Sequence, residues 1–470
     1  MEEKKSLSGF EKFSYGIGAV GKDMVYMLSA SYILYYYQDI LGVSAAIMGV
    51  ILLIARVFDA FNDPIMGVLV AKTKTKWGKF RPWLFIGTVT NAIVLVLMFS
   101  CPPSLNGGGL VAYAATTYIL WGVTYTMMDI PYWSMVPAFT KAGKERESMS
   151  ALGRSCAGVG SALVSICTVM LVSGLGHAFA DDANYERVGY KCVAIIVAVL
   201  FVIFITITCL GIKEKSTVEM ETASVGDMFK ALVKNDQAMT MVISIVCINT
   251  ALYITQNLLI YFFKYDFSGP DLWEGHYTLF NTCGGAFQIL AMMILFPVLR
   301  KAGLNTMKIF YTSFIMAFLG YVFLLIYTFA VGSGSVYVLL IPAFLIMAAI
   351  GMLNVIVTIF LANTCDYGEL KNGRRDESVI FSMQTFVVKL ASGLSAFIAS
   401  IVLTITNISS SDDAVVKIAD SSSRMGLRIS MTVLPIIILI VGVIVFKSKY
   451  RLTDEKLEEI NTELKAKRAE

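Results

Sequence analysis

Long apolar segments separated by short polar ones dominate the pattern of this chain. Twelve such segments are centred near residues 28, 57, 93, 124, 165, 200, 250, 288, 319, 349, 393 and 437. Each is long enough to cross a membrane, which takes about 20 residues in a helix. The pattern therefore predicts an all-α polytopic membrane protein with 12 transmembrane helices. Composition agrees, because 57% of the residues are hydrophobic and only 15% are charged, against about 25% charged residues in soluble domains.

The basic residues of the loops indicate how the helices are oriented. The N-terminal segment and the loops after spans 2, 4, 6, 8 and 10 hold three to five Lys or Arg each, whereas the other loops hold zero to three. Short cytoplasmic loops carry the excess of Lys and Arg, so both termini are predicted to lie in the cytoplasm. The five basic residues within 72–81 are interpreted as an anchor beside anionic lipid, which is favoured over a nucleic-acid site.

The longest cytoplasmic connection, residues 211–236, divides the spans into six and six. Such a division is typical of transporters built from two pseudo-symmetric six-helix bundles, with a binding cavity between them near the membrane midplane. The predicted organisation is a cytoplasmic N-terminus (1–12), a first bundle (13–212), a middle loop (213–236), a second bundle (237–449) and a cytoplasmic tail (450–470). The polar tail is predicted to form a short charged helix after Thr453.

Four polar residues interrupt a helix that is predicted to run from about Ala45 to Val70. They are Arg56, Asp59, Asn62 and Asp63. Positions i, i+3 and i+4 of a helix share a face, so the last three bring their oxygens to one place. A carboxylate at the bilayer centre costs about 2.5–3.5 kcal/mol on insertion scales, and two within one turn therefore require a role. Oxygen ligands suit a hard cation. The alternative, a helix end that reaches water, is disfavoured because apolar residues flank the cluster.

A second polar group is spread over predicted spans 1, 4, 5 and 11. Its members are Lys22, Asp23, Tyr125, Thr126, Asp129, Trp133, Arg154, Gln384, Thr385 and Lys389. An aromatic ring beside a carboxylate and an arginine suits a sugar, because the ring stacks on C–H faces while the charged groups bind hydroxyls. A core or lipid-facing tryptophan is the alternative for Trp133, and Asp129 one turn earlier favours the sugar. Lys389 is expected to neutralise the carboxylates of the first cluster while it is empty, since an unpaired lysine at that depth is costly.

A glycine pattern in the first span, Gly16-Ile-Gly-Ala-Val-Gly21, matches a nucleotide-binding fingerprint. No strand precedes it and no acidic residue follows at the required spacing. Small residues in a membrane helix let a neighbouring helix approach closely, so we interpret the pattern as a packing motif. The eight cysteines have no repeated spacing, which indicates neither a disulfide framework nor a metal site.

Several runs of the sequence carry more specific patterns. They are FDAFNDPIMGVLV followed by KWGKFRPW, then YILWGVTYTMMDIPYWSMVP, KERE, and DYGEL followed by SMQTFVVK. Together they resemble the glycoside–pentoside–hexuronide:cation symporter family, which has the major facilitator fold, and the resemblance covers nearly the whole chain. It implies a sugar:cation symporter and not an enzyme, without a cofactor or a nucleic-acid partner. It also implies a multi-pass protein of the bacterial cytoplasmic membrane that works as a monomer in the lipid bilayer.

The resemblance implies a role for each polar residue. Asp59 and Asp63 would bind the cation with support from Asn62 and Thr126, and this complete set implies sodium, with lithium and protons as further transported ions. The galactosyl group of a galactoside such as melibiose would be held by Asp23, Asp129, Trp133 and Arg154, with Lys22 and Tyr125 nearby. Gln384 and Thr385, on the polar face of span 11, would be further sugar-binding residues. Lys389 and Arg56 would couple the two sites.

Two departures from the family pattern affect the expected substrate and the expected gating. Asn354 aligns with an aromatic residue that faces the sugar, so the second sugar unit is expected to be recognised by hydrogen bonds. Asn363 stands where an acidic residue is usual and is expected to affect gating. Glucuronides or pentosides are the alternative substrates, and a sodium-coupled lysolipid carrier is a further alternative. A channel or membrane enzyme is disfavoured, because the chain has no selectivity-filter repeat, nucleophile motif or metal cluster.

Overall fold

The computed structural model describes residues 7–140, 144–214, 226, 230, 233–269, 271–331, 334–372, 377–408 and 420–469. These residues form helices and no strand. Ten of the helices in this part of the chain are long and apolar enough to cross a membrane, which confirms the predicted all-α polytopic class. The count of twelve spans and the cytoplasmic position of the termini stay predictions.

The described residues divide into two compact units, which meet in the sequence between Thr222 and Ala223. The helices of the first unit are α1 (Gly9–Tyr35), α2 (Ala45–Lys72), α3 (Arg81–Met98), α4 (Gly107–Ser134), the short α5 (Val136–Phe139), α6 (Lys144–Phe179) and α7 (Tyr185–Gly211). Helix α2 begins at Ala45, as predicted. Helix α1 packs on α6 and α7, while α4 packs on α2 and α3. Helix α4 therefore contacts the helix that carries the first polar cluster.

The second unit repeats this arrangement. Its helices are α8 (Asp236–Phe262), α9 (Trp273–Leu290), α10 (Phe296–Lys301), α11 (Thr306–Ala330), α12 (Val336–Asn372), α13 (Glu377–Ile405), α14 (Ser421–Lys449) and α15 (Asp454–Ala469). Helix α8 packs on α13 and α14, while α12 packs on α9 and α11, as their counterparts do in the first unit. The predicted charged tail helix is confirmed as α15. The predicted boundaries of the two bundles stay a prediction, and much of the predicted middle loop lies outside the described residues.

The first helix of each unit ends in the same way, which supports an internal repeat. A π-helical turn follows α1 over Tyr36–Ile40 and another follows α8 over Phe263–Phe267. Two residues after each π-helical turn, the backbone turns at a glycine with positive φ, Gly42 at 73° and Gly269 at 72°. Glycine adopts this backbone conformation without steric cost, so the same residue type closes both turns.

The glycine pattern of α1 is a packing motif, as predicted. A Cβ atom at Gly18 would lie 2.2 Å from Oγ1 of Thr208 on α7, and one at Gly16 would lie 3.0 Å from Sγ of Cys156 on α6. Side chains larger than hydrogen would therefore push α1 away from both neighbours. The close approach sets the position of Lys22 and Asp23, which follow directly on α1.

Candidate functional site

Two clusters of charged residues lie in the first unit and share helix α4. The α2 cluster comprises Arg56, Asp59, Asn62 and Asp63 on α2 with Thr126 on α4. The α1–α4 cluster comprises Lys22 and Asp23 on α1, Tyr125, Asp129 and Trp133 on α4, and Arg154 on α6. Thr126 and Asp129 lie about one turn apart on α4, so a single helix contributes to both clusters.

The α2 cluster holds its two carboxylates in different environments. Asp59 is buried, and Nη1 of Arg56 donates to its Oδ2 at 3.2 Å. Asp63 is half-buried and accepts a hydrogen bond of 2.9 Å from Oγ1 of Thr126. Nδ2 of Asn62 is buried without a hydrogen-bond partner among the described residues. This geometry agrees with the predicted grouping of the two carboxylates on one face of α2, since Asp59 and Asp63 both lie against α4.

Helix α4 leaves space for Asp59 through a glycine. A Cβ atom at Gly122 would lie 2.6 Å from Oδ1 of Asp59, well inside van der Waals contact. Gly122 and Thr126 are four residues apart and therefore occupy the same face of α4. Asp59 and Asp63 thus face one stripe of α4, with a glycine opposite the first carboxylate and a hydroxyl opposite the second.

Arg56 is enclosed by aromatic rings. Its guanidinium carbon lies 5.8 Å from the ring centroids of Tyr26 and Tyr118 and 5.9 Å from that of Trp121. The rings of Tyr118, Trp121 and Tyr125 stack along α4. Cation–π contacts of this kind stabilise a desolvated guanidinium. Our sequence reasoning did not find this aromatic stripe, although its spacing of three and four residues is the signal of one helix face.

Lys22 lies at the centre of the α1–α4 cluster. Its Nζ is 2.7 Å from Oδ1 of Asp129 and 3.2 Å from Oδ2 of Asp23. It also donates a hydrogen bond of 3.1 Å to the hydroxyl of Tyr125. The side chain is 5% exposed. Because α1 and α4 supply these groups from positions about 100 residues apart, the cluster depends on the packing of helices.

Trp133 and Arg154 complete this cluster. Nε1 of Trp133 donates to Oδ1 of Asp129 at 3.1 Å. The guanidinium carbon of Arg154 lies 4.6 Å from the centroid of the Trp133 ring. Arg154 was expected among the buried polar residues, but its side chain is exposed and makes no ion pair with the described residues. The indole therefore presents a ring beside one buried carboxylate and one accessible guanidinium.

The two clusters differ in formal charge. In the α2 cluster, Asp59 and Asp63 contribute −2 and Arg56 contributes +1, which leaves −1. The α1–α4 cluster has two carboxylates, Asp23 and Asp129, balanced by Lys22 and Arg154, which leaves zero. Counted over these residues alone, the α2 cluster carries one negative charge and the α1–α4 cluster is neutral.

The remaining predicted site residues belong to the second unit, and their roles stay predictions. Asn354 lies on α12 with an exposed side chain, and Lys389 lies on α13 with a buried one. The side chains of Gln384 and Thr385 lie outside the described residues. Asn363 lines a cavity of about 100 Å³ together with residues of α11 and the start of α15. The ligand-binding roles assigned to the first-unit residues also stay predictions.

Several known proteins are similar to this chain over almost its whole length. YagG of Escherichia coli (strain K12), a candidate glycoside/cation symporter by its name, is 27% identical over 98% of this chain and 95% of its own length. A lactose permease of Lactobacillus helveticus is 26% identical over 97% of this chain and 72% of its own length. A solved structure described under proton dependent oligopeptide transporters shares the fold, with a TM-score of 0.67 at 13% identity, and covers 96% of this chain and 99% of its own.

The sequence profile of the family described as MFS/sugar transport protein matches residues 14–454. This match extends over both compact units and over every first-unit residue of the two clusters. It agrees with the resemblance that the sequence motifs carry. The protein therefore belongs to the MFS/sugar transport protein family, whose members are membrane transporters and not enzymes.

Proposed function

We propose that this protein is a sugar:cation symporter that takes up galactosides together with sodium or protons by alternating access. The observation that carries the proposal is the difference in charge between the two clusters that share α4. The residues of the α2 cluster sum to one negative charge, and those of the α1–α4 cluster sum to zero. A monovalent cation and an uncharged sugar are the two ligands that match these clusters.

The α2 cluster supplies the chemistry of a cation site. Asp59, Asp63 and Thr126 present carboxylate and hydroxyl oxygens, which are the ligands that hard cations prefer. One bound sodium ion would bring the charge of the cluster to zero. Lithium offers the same charge, and a proton on one carboxylate would have the same electrostatic effect. These ions are transported ligands, so no resident cofactor is required.

The α1–α4 cluster supplies the chemistry of a sugar site. Asp23 and Asp129 are acceptors for hydroxyl groups, Arg154 is a donor, and Trp133 offers a ring for stacking. Oδ2 of Asp23 accepts no hydrogen bond from the described residues although it pairs with Lys22, so a sugar hydroxyl would satisfy it. The lactose permease among the relatives supports a galactoside as the substrate.

Glucuronides are a second candidate substrate class because Arg154 is exposed and lacks an ion pair among the described residues. A uronic acid carboxylate would bind such a guanidinium in a bidentate manner. The neutral balance of the cluster favours an uncharged sugar, because a uronic acid would leave the filled site with a net negative charge. Galactosides are therefore the first choice.

Helix α4 offers a physical route for coupling. Thr126 donates to Asp63 in one cluster, while Asp129 belongs to the other cluster about one turn away. If cation binding raises the affinity for sugar, sugar must raise the affinity for the cation by the same factor. One charge moved across 100 mV supplies about 2.3 kcal/mol, which corresponds to a sugar gradient of about fiftyfold.

Uptake of radiolabelled sugars into membrane vesicles tests the proposal. Melibiose, lactose, raffinose, a glucuronide and a pentoside would be offered under an imposed sodium gradient or an imposed pH gradient, each applied separately. We expect galactosides to accumulate when a cation gradient is present and to equilibrate when it is collapsed. Accumulation of glucuronides or pentosides without galactosides would contradict the substrate assignment. Galactoside uptake that responds to neither gradient would contradict symport.

Reconstitution into lipid vesicles tests the proposed oligomeric state. We place the protein in the bacterial cytoplasmic membrane, where its apolar spans face lipid, and we propose that a single copy is sufficient for transport. Both carboxylate clusters lie within one unit of one chain, so a partner copy is not required to complete them. Uptake by a protein reconstituted at one copy per vesicle is the expected result.

A further inference from the structure

Lys22 is more deeply buried than the other charged residues of the α1–α4 cluster. Its side chain is 5% exposed, against 18% for Asp23 and 13% for Asp129, while Arg154 is exposed. The ammonium is close to three oxygens, those of Asp129, Tyr125 and Asp23, at 2.7, 3.1 and 3.2 Å. An ammonium has three donors and no acceptor. No donor of Lys22 is therefore left for a sugar hydroxyl in this geometry.

The surroundings of Lys22 resemble the ligands of a monovalent cation. Two carboxylates and one hydroxyl surround Nζ, and the rings of Trp133 and Tyr125 lie 5.1 and 5.5 Å away. The α2 cluster offers the same group types, two carboxylates and a hydroxyl from α4. The hydroxyls come from adjacent residues, Tyr125 and Thr126. Oxygen chemistry alone would therefore allow a cation to bind at either cluster.

We infer that Lys22 is a built-in counter-ion, whose ammonium occupies the place that a transported cation would otherwise take between Asp23 and Asp129. It balances the charge of both carboxylates and orients them as acceptors for sugar hydroxyls, and it confines the coupled ion to the α2 cluster. The inference rests on the proposed sugar:cation symport. Lys22 is thus a positioning residue, which acts on the sugar through the two carboxylates.

Electrostatics explains why a covalently attached cation is useful there. Two buried carboxylates close to one another cannot both stay ionised without compensation. Arg56 touches one carboxylate of the α2 cluster, Asp59, whereas Lys22 touches both carboxylates of its own cluster. Summed over their own residues, the α2 cluster keeps one negative charge, which the coupled ion would balance, and the α1–α4 cluster keeps none.

Replacement of Lys22 by a neutral residue tests the inference in the purified full-length protein. Lys22→Ala should weaken binding of melibiose about thirtyfold or more, because a buried charge pair is broken. Methylammonium should restore that binding, since it can occupy the space left by the side chain. The number of sodium-22 ions bound per protein should rise from one to two.

Three further variants serve as controls. Lys12→Ala removes an exposed lysine of the same helix and should change neither sodium count nor sugar affinity. Lys22→Gln keeps a polar side chain only one atom shorter and without the charge, and it replaces Lys22→Ala if the latter does not fold, with the sodium count as its readout. Lys22→Ala/Asp23→Asn removes one charge of each sign and should return the sodium count to one.

The possible results separate this inference from the proposed function. A Lys22→Ala protein that binds one sodium ion and gives no response to methylammonium overturns the role of Lys22, and so does a Lys22→Gln protein that still binds one sodium ion. A second sodium ion or recovery with methylammonium supports it. If the unaltered protein shows no sodium- or proton-dependent sugar binding, the proposed symport fails. In that case the recovery of melibiose binding by Lys22→Ala in methylammonium, compared with binding by the unaltered protein, still tests the role of Lys22.

Discussion

The two carboxylate clusters of the first unit are assembled differently. In the α2 cluster one helix supplies both carboxylates and the arginine that pairs with one of them, so their spacing is fixed by the geometry of a single helix. In the α1–α4 cluster the charges come from α1, α4 and α6, and their distances depend on how these helices pack. A shift between helices would alter the second cluster while leaving the carboxylate spacing of the first unchanged. The carboxylates of the proposed cation site are therefore largely preformed by one helix, whereas the geometry of the proposed sugar site changes when helices α1, α4 and α6 shift.

The largest expected effect distinguishes the two carboxylates of the α2 cluster. Asp63→Cys should abolish coupled uptake with every cation, because the remaining carboxylate, Asp59, is already paired with Arg56. Asp59→Cys should remove sodium stimulation and leave some proton-driven uptake, because Asp63 beside Thr126 can still take a proton. Uptake of labelled melibiose under separate sodium and pH gradients measures both effects.

This division of roles would be wrong if the two variants lost every coupling mode equally. Exchange of sugar across the membrane without a gradient is the control, because it reports that the sugar site still folds and binds. Both variants should retain measurable binding of sugar, since neither side chain belongs to the α1–α4 cluster.

The next effect in size concerns the sugar side of the comparison. Asp129→Asn keeps the shape of the side chain and removes its charge, which leaves the ammonium of Lys22 without the nearer of its two carboxylates, at 2.7 Å. Sugar binding should weaken by about 2–5 kcal/mol, as is typical when one member of a buried charge pair is removed. Sodium binding measured without sugar should be largely retained. If Asp129→Asn also lost most of its sodium affinity, Asp129 would belong to the cation site, and the two clusters could not be treated as separate sites.

A smaller effect is expected for Gly122→Ala, which should weaken sodium stimulation without changing sugar affinity. Gly122→Ala would put a Cβ atom 2.6 Å from Oδ1 of Asp59 and force that carboxylate to move. The sodium concentration for half-maximal stimulation of uptake should rise about tenfold, within the range of 1–3 kcal/mol for overpacking. Sugar affinity at saturating sodium should change little.

Gly158→Ala on α6 is the matched control, because nothing lies within 4 Å of the added atom. An equal response of the two alanine variants would show that the glycines of the first unit affect transport only through general packing. A response confined to Gly122 would tie the close approach of α4 to the carboxylate of Asp59.

The sequence predicted best what a single helix contains. The grouping of Asp59 and Asp63 follows from their spacing on α2, and the packing role of Gly16 and Gly18 follows from small residues in an apolar span. The contacts of Lys22 with Tyr125 and Asp129 could not be predicted in this way, because they join α1 to residues of α4 more than 100 positions away. Spacing within a helix is local, whereas contacts between helices require the packing of the whole unit.

Other features lacked a signal that a single sequence can provide. The repeated turns at the ends of α1 and α8 share only an aspartate and a glycine, too little to detect a repeat against apolar background. The role of Gly122 depends on the position of α2 beside α4. The aromatic stripe around Arg56 had a readable spacing, but aromatic residues at helical spacing are common in membrane cores and do not indicate a site alone.

The smallest expected effect comes from Asn354 in the second unit. Its substitution tests whether the range of transported sugars can change while the two first-unit clusters keep their function. Asn354 is exposed on α12, and the resemblance of the sequence motifs predicts that it replaces an aromatic residue that faces the sugar. Its amide has two donor hydrogens and an acceptor oxygen, so it suits the hydroxyls of a second or third sugar unit. Asn354→Trp would replace these groups by a stacking surface. Uptake should then narrow toward melibiose, with a several-fold loss for raffinose, of the order expected from one neutral hydrogen bond of about 1 kcal/mol.

The sodium response is the internal control for Asn354→Trp, because both carboxylates of the α2 cluster lie in the other unit. Competition between labelled melibiose and unlabelled sugars of increasing length measures the range, and Asn354→Gln keeps the amide and should leave it broad. If the tryptophan variant transports raffinose and melibiose in the original ratio, Asn354 does not contact the substrate. If its sodium stimulation changes instead, the residue belongs to the coupling between units, and the separation of ion and sugar recognition that the two clusters suggest does not extend to α12.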